Sequence, residues 1–217
     1  MRGVENVPWL YDAICWCAER TGLDRWRRWL TSGARGRTLD LGCGTGRNLS
    51  LYASNLAVVG VDPEWRALLR ARRRSPRMPL VQGRAEALPF RGGAFDTIVS
   101  GLVFCSIADP TAGLAEVQRV LRPGGALRML EHVRSTIPWR ARVQDQVQPL
   151  WTWFSGGCHP NRETERTLDE AGFRIDAASR RAHGNMRRFE ARPGASTIAS
   201  VSTIVHGDPP ESRRAAP

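Results

Sequence analysis

Leu39-Asp40-Leu41-Gly42-Cys43-Gly44-Thr45-Gly46 is the stretch that decides how this chain is read. It closes a short strand pattern over residues 37–41 and opens a helical pattern over 47–54. Asp62, 16 residues beyond Gly46, ends a second strand pattern over 57–61. A strand, a glycine loop, a helix and a second strand ending in an acid form a crevice at the carboxyl edge of a parallel sheet. Glycines at 42, 44 and 46 carry no β-carbon that would hold a ligand off the backbone, and they accept φ angles that other residues resist. Asp62 then stands where one carboxylate accepts hydrogen bonds from both hydroxyls of a ribose. The spacing is Gly-x-Gly-x-Gly, not the Gly-x-Gly-x-x-Gly of dinucleotide enzymes, which disfavours a nicotinamide-dependent reductase. With no pyrophosphate to cradle, the expected ligand is a nucleoside without phosphates, and S-adenosylmethionine is the foremost candidate.

Strand and helix patterns alternate beyond this point. A helix is expected over 63–74, starting on a proline, and a short strand over 79–82. The run 95–100 is continuously apolar, as in a strand buried on both faces. A helix over 111–121 is expected to stop at the turn Arg122-Pro123-Gly124-Gly125, which opens a strand over 126–131. An unusually aromatic helix follows over 138–154, then a helix over 163–171 and a strand over 173–178. Residues 197–205 hold enough β-branched residues for a last strand, whose assignment stays open, and the final dozen residues read as disordered. The fold class is therefore α/β, with a doubly wound, mostly parallel, seven-stranded Rossmann-like sheet. Three segments are expected: an N-terminal helical lid or packing segment over 1–34, the nucleoside-binding domain over 35–182, and the uncertain strand and tail over 183–217.

A chain of 217 residues suits one such domain with a proper core. The net charge of +11 invites a nucleic-acid reading, but all 32 basic residues are arginine. That points to a coding bias, and the arginines are scattered without interleaved aromatics, so no specific nucleic-acid partner is expected. Five cysteines, at 15, 17, 43, 105 and 158, form no Cys-x-x-Cys pair, so neither a disulfide framework nor a metal site is expected. Glu5 and Asp12 interrupt any signal-peptide core, and no apolar run is long enough to span a membrane, so a cytoplasmic location is expected. Residues 8–30, with Trp9, Leu10, Ile14, Trp16, Trp26, Trp29 and Leu30, admit three readings. They form a lid, a helix packed on the sheet, or a peripheral membrane contact. The oligomeric state is not legible.

Several further blocks carry a resemblance. These are Gly60-Val61-Asp62-Pro63, Ala85-Glu86-Ala87-Leu88-Pro89-Phe90, Phe95-Asp96-Thr97-Ile98-Val99 and Arg119-Val120-Leu121-Arg122-Pro123-Gly124-Gly125. With the glycine loop, they make residues 35–180 resemble class I S-adenosylmethionine-dependent methyltransferases. A narrower likeness rests on Gly44-Thr45-Gly46-Arg47-Asn48 with Tyr52, Leu102–Ser106, Glu131-His132-Val133 and Gly157–Thr164. These look like the methyltransferase-like branch whose animal members methylate alkyl thiols at lipid surfaces. Two departures are visible: no N-terminal hydrophobic anchor is expected here, and Gly156 stands where an acidic residue is usual. The resemblance implies methyl transfer from S-adenosylmethionine to a small, rather apolar acceptor, first a thiol. A phospholipid amine or a quinone-type hydroxyl is the alternative, and a non-catalytic S-adenosylmethionine-binding module is a rival.

Within this resemblance, Asp40 is placed to bind the cofactor's α-ammonium directly or through water, with a helix-capping aspartate as the plainer reading. Gly42, Gly44 and Gly46 let the backbone approach the amino-acid moiety beside a helix N-terminus. Asp62 takes the ribose hydroxyls and is compatible with capping the helix that starts at Pro63. Adenine is expected near Pro63 and the Arg84-Ala85-Glu86 loop, with Gly101 also on the cofactor side. Relatives often carry an aspartate at position 84; an arginine cannot accept from the adenine amino group, which leaves that contact missing or supplied by Glu86 or a carbonyl. His132 is the candidate catalytic residue, lowering a thiol's pKa or positioning the acceptor, against a plain sheet-edge histidine. His159 and Cys158 read as loop and structural residues, and Trp139, Trp151, Trp153 and Phe154 as either an acceptor-pocket lining or a packed helix face.

Overall fold

The computed structural model describes residues 22–155 and 157–194. Its elements run α1 (Asp24–Ser32), β1 (Thr38–Leu41), β2 (Val58–Asp62), α2 (Trp65–Arg74), β3 (Leu80–Gln82), β4 (Phe95–Gly101) and α3 (Pro110–Val120). They continue with β5 (Leu121–His132), α4 (Pro138–Ser155), α5 (Thr164–Glu170), β6 (Phe173–Ile175), β7 (Arg181–His183) and β8 (Met186–Pro193). The strands form one sheet in the order β3-β2-β1-β4-β5-β8-β6, with β7 also on β8. Strands β1 to β5 pair in parallel. β8 runs antiparallel to β5, β6 and β7. Because β6 and β7 share one edge of β8, the sheet has the seven positions expected, and the only reversed one is near the end.

Alternation along the central strands builds the two faces. Ile98 and Met129 enter one apolar layer with Leu39, Leu114, Leu127 and Phe189. Their sequence neighbours Val99 and Leu130 enter the opposite layer with Leu30, Leu49 and Leu68. α1 is tied to the second layer through Arg128. Its buried guanidinium donates to the carbonyls of Leu30 (2.9 Å) and Trp29 (2.6 Å), pairs with Glu190 at 2.8 Å, and lies 4.1 Å from the Trp29 ring centroid. Residues 24–30 therefore pack on the sheet, whereas residues 8–21, with the rest of the membrane-contact expectation, lie outside the described residues. Among the described residues no helix is long and apolar enough to cross a membrane.

Three expectations are corrected. The helix over 47–54 is a single 3-10 turn, Leu49–Leu51, because Asn48, Ser50 and Ser54 compete with the helical backbone and the segment is too short to repay nucleation. The turn at 122–125 lies inside β5: Phe95 pairs with Leu121 and Thr97 with Ala126, so the Pro-Gly-Gly stretch loops out as an irregularity within the strand. A strand also stands at Met186–Pro193, where the sequence suggested the start of a tail. Its alternating Arg187, Phe189 and Ala191 are buried, and the arginine content hid the period of two. The candidate strand over 197–205 and the final residues expected to be disordered fall outside the described residues.

Candidate functional site at the carboxyl edge

The glycine loop turns back on itself immediately after β1. Cys43 donates its N–H to Val61 O (3.0 Å) and Gly46 donates to Cys43 O (2.9 Å). Gly44 has φ +54, donates its N–H to Asp62 Oδ2 at 2.8 Å, and has nothing closer to its β-position than Gly42 O at 4.0 Å. That open side is the approach a ligand needs. Gly46, at φ +82, instead faces α2: a β-carbon there would lie 2.9 Å from Ala71 Cα. A β-carbon on Gly42 would run into Val103.

Asp62 ends β2 with both oxygens held, Oδ2 by Gly44 and Oδ1 by the N–H of Glu64 at 2.9 Å. Burial pushes its pKa up, and the two amides oppose that rise. Each oxygen keeps a second lone pair for a ribose hydroxyl. The capping role expected of Asp62 belongs to Glu64, whose side chain accepts from Arg66 N–H at the start of α2.

Asp40 lies beneath the loop, fully buried. Asn48 Nδ2 donates to its Oδ1 at 3.3 Å and Arg27 donates to Asn48 Oδ1 at 2.8 Å, whereas Oδ2 has no hydrogen-bond partner. Burial raises its pKa to about 7 against the pull of Asn48 and Arg27. An amine brought to this carboxylate would meet a buried acceptor with capacity to spare.

On the adenine side, Pro63 O accepts from Gln82 Nε2 at 3.0 Å, and Ala85 is buried. Glu86 has one oxygen engaged elsewhere: Oε1 accepts from Ala108 N–H at 3.1 Å in the approach to α3, and Oε2 lies 3.7 Å from Arg84. Glu86 thus also braces the loop before α3 through Oε1, while Oε2, facing only the exposed Arg84, keeps acceptor capacity on the adenine side. Gly101 ends β4, and the next residue, Leu102, has φ +63, a left-handed conformation that costs a non-glycine residue about 1–3 kcal/mol. Leu102 N–H donates to Leu130 O at 2.7 Å, and the buried Glu131 carboxylate accepts from Ser100 Oγ and from the N–H groups of Val103, Phe104 and Cys105. Four donors thus fold residues 102–105 over the end of β5.

His132, the last residue of β5, is half-buried, with Nδ1 3.5 Å from Cys158 Sγ. Cys105 joins them: its sulfur, Cys158 Sγ and a His132 ring nitrogen all lie within 4.8 Å of one another. Hydrogen bonding from Cys105, then from His132, holds the Cys158 thiol down, and the same contact with burial pushes Cys105 up. No spacing rule links these residues, and the expectation of no metal-ligating set rested on sequence distance alone. The only hint was that His132, Cys105 and Cys158 each follow a predicted strand or helix end. Of the aromatic residues of α4, Trp139 and Trp153 are 62% and 66% exposed, whereas Trp151 reaches the Cys158 side of this cluster.

Residues 39–129 match the family model described as a methyltransferase domain. A thiol S-methyltransferase of Homo sapiens is 34% identical over 152 residues, covering 65% of this chain and 62% of that protein. A demethylmenaquinone methyltransferase of Beutenbergia cavernae is 39% identical over 159 residues, covering 69% of this chain and 65% of that protein. The chain therefore spans less than two thirds of the length of either relative. A solved structure of a SAM-dependent methyltransferase from Thermotoga maritima aligns with a TM-score of 0.65 at 18% identity, over 85% of this chain and 95% of that one, a likeness of fold.

Proposed function

We propose that this chain, which carries a methyltransferase domain over residues 39–129, moves a methyl group from S-adenosylmethionine to a small apolar acceptor, foremost a thiol. The observation that carries the reading is the bond from Gly44 N–H to Asp62 Oδ2 across an open loop face: it joins a ribose acceptor to a backbone that a ligand can approach. S-adenosylmethionine bound there supplies an electrophilic methyl on a sulfonium. Asp62 holds the ribose, the Gly44 face receives the amino-acid moiety, and Asp40 offers the ammonium a buried carboxyl that the incoming cation helps to ionise. Displacement from a sulfonium disperses charge, so the protein's work is alignment and exclusion of water. A thiol arrives protonated, and its proton must leave before or during attack. His132 at the same edge, beside Cys158, supports a role in receiving that proton or orienting the sulfur.

The name of the human relative supports a thiol acceptor, and that of the bacterial relative keeps a quinone as the second reading. The test is calorimetric titration with S-adenosylhomocysteine on wild type and Asp62→Ala, followed by a panel of alkyl thiols and demethylated quinols read by mass spectrometry. Saturable binding lost in the variant, with methylated thioether formed, is the expected result. A folded wild type that does not bind S-adenosylhomocysteine would overturn the reading.

A further inference from the structure

The cluster at the end of β5 does more than the methyl-transfer reading asks of His132. We propose that Cys105, His132 and Cys158 bind a thiophilic divalent metal, zinc in the first instance, whose fourth position takes the sulfur of the acceptor thiol. The proposal rests on the methyltransferase reading for the acceptor, while the metal site stands on its own geometry.

The donor set is the first argument. Two cysteine sulfurs and an imidazole nitrogen are the ligands that select zinc, cobalt or copper(I) over magnesium and calcium. A tetrahedral zinc with Zn–S of about 2.3 Å and Zn–N of about 2.0 Å spaces its ligand atoms at about 3.5–3.8 Å. Cys158 Sγ and His132 Nδ1 are already 3.5 Å apart, and all three donors lie within 4.8 Å of one another. Closing on a metal therefore takes small side-chain movements. Two thiolates and a neutral imidazole also cancel the charge of a divalent cation, and the single negative charge added by an acceptor thiolate would face Arg162, which neighbours Cys105, Cys158 and Glu131.

The scaffold is the second argument. The ligands come from three segments, each braced by its own hydrogen bonds. Cys105 N–H donates to Glu131 Oε2 (3.2 Å), and Cys105 O accepts from His159 N–H (2.6 Å). Cys158 O accepts from Thr152 Oγ1 of α4 (2.9 Å). His132 is paired through β5 to Met186 of β8. Bracing of this kind is what orients metal ligands and sustains affinity. Glu131 is not itself a ligand, since its oxygens serve the loop over 102–105.

Position is the third. Three protein ligands leave a tetrahedral metal one open coordination place, the pattern of catalytic sites and not of closed structural ones. Cys105 and Cys158 are buried, but His132 and Gly157 are partly exposed, so the cluster has an open side. β5 is two strands from β1, on the order of 10 Å along the same carboxyl edge as the glycine loop. A thiol entering the fourth position forms a sulfur–metal bond and gives up its proton to solvent; no electrons change hands. With the metal bound, acidification of the coordinated thiol replaces proton transfer to His132, which then serves as a metal ligand and not as the base.

The experiment uses the full chain, reduced and chelator-treated, titrated with cobalt(II) and then with an alkyl thiol. The expected result is one equivalent of cobalt, with thiolate-to-cobalt charge-transfer absorption and tetrahedral d–d bands. The bands shift when the alkyl thiol is added. Cys105→Ser and Cys158→Ser each weaken cobalt binding by on the order of 100-fold or more while S-adenosylhomocysteine still binds, which shows that the variants are folded. Wild type that binds S-adenosylhomocysteine but gives no charge-transfer band overturns the proposal. So does a cobalt spectrum indifferent to added thiol. Cobalt binding without S-adenosylhomocysteine binding leaves the metal site standing and removes the methyltransferase reading, so the two failures are distinguishable.

Discussion

Gly44→Ala and Gly46→Ala, two residues apart in one loop, are expected to fail in different ways. Both positions have positive φ, +54 and +82, so an alanine at either costs about 1–2 kcal/mol of backbone strain. At Gly44 that is the whole cost to the free protein, because the new methyl meets nothing closer than Gly42 O at 4.0 Å. The expected loss in Tm is roughly 2–8 °C for a chain of this size. At Gly46 the methyl comes within 2.9 Å of Ala71 Cα and 3.0 Å of Ala71 Cβ, so α2 must move. Overpacking adds about 1–3 kcal/mol, bringing the loss to roughly 2–5 kcal/mol and 4–20 °C. The ligand sees the reverse. The Gly44 methyl projects into the open approach and is expected to weaken S-adenosylhomocysteine by on the order of 100-fold, about 2.7 kcal/mol. The Gly46 methyl points into α2, and affinity measured well below its Tm should stay within about threefold of wild type. Thermal denaturation and calorimetric titration on the same preparations make the comparison. Undiminished affinity in Gly44→Ala would refute the claim that the ligand approaches this face. Equal stability of the two variants would refute the contact with α2.

Asp62→Ala removes two charge-assisted bonds to ribose, each worth about 1.5 kcal/mol at the low end, and should cost at least about 100-fold in affinity for S-adenosylhomocysteine by titration. Asp40, raised to about 7 from 3.8, keeps its proton in the folded chain over a range where the unfolded chain has lost it. Its contribution to stability is thus complete below about pH 4 and is lost as pH rises to about 7, at up to about 1.4 kcal/mol per pH unit. Asp40→Asn should flatten that slope in urea denaturation between pH 5 and 8; an unchanged slope would assign it to Asp62 or Glu131, which burial also raises. Arg128→Met leaves Glu190 with Arg192 as its remaining cation and strips the carbonyls of Trp29 and Leu30 of a buried donor, each worth about 1–3 kcal/mol, so a loss of about 2–5 kcal/mol in chemical denaturation is expected. Glu131→Gln sets an amide N–H2 against one of the loop's donors, costing about 1–3 kcal/mol and loosening residues 102–105, which hydrogen exchange at Val103 to Cys105 would report.

The cofactor side of this protein is written in contiguous residues. A glycine loop between a strand and a turn, with an acid at the end of the next strand, needs only local conformational preference and the rule that parallel strands set their carboxyl ends together. Asp40, the glycine loop and Asp62 accordingly lie together at the carboxyl ends of β1 and β2, although Gly42 and Gly46 turn their β-positions to Val103 and α2 and Gly44 turns its own to open space. What the sequence could not carry is convergence. That Glu86 also accepts from the loop before α3 is visible only once that loop has folded back onto it. Arg187, Phe189 and Ala191 read as the start of a basic tail until β8 slots between β5 and β6 and buries them. Cys105, His132 and Cys158 have no spacing to connect them; they meet because β4 and β5 are neighbours and the chain after α4 returns to the same edge. Backbone preference is a property of a few adjacent residues, and it set the glycine loop against Asp62. Which distant side chains share a volume depends on strand order and packing, so only the tertiary structure brought two thiols and an imidazole together.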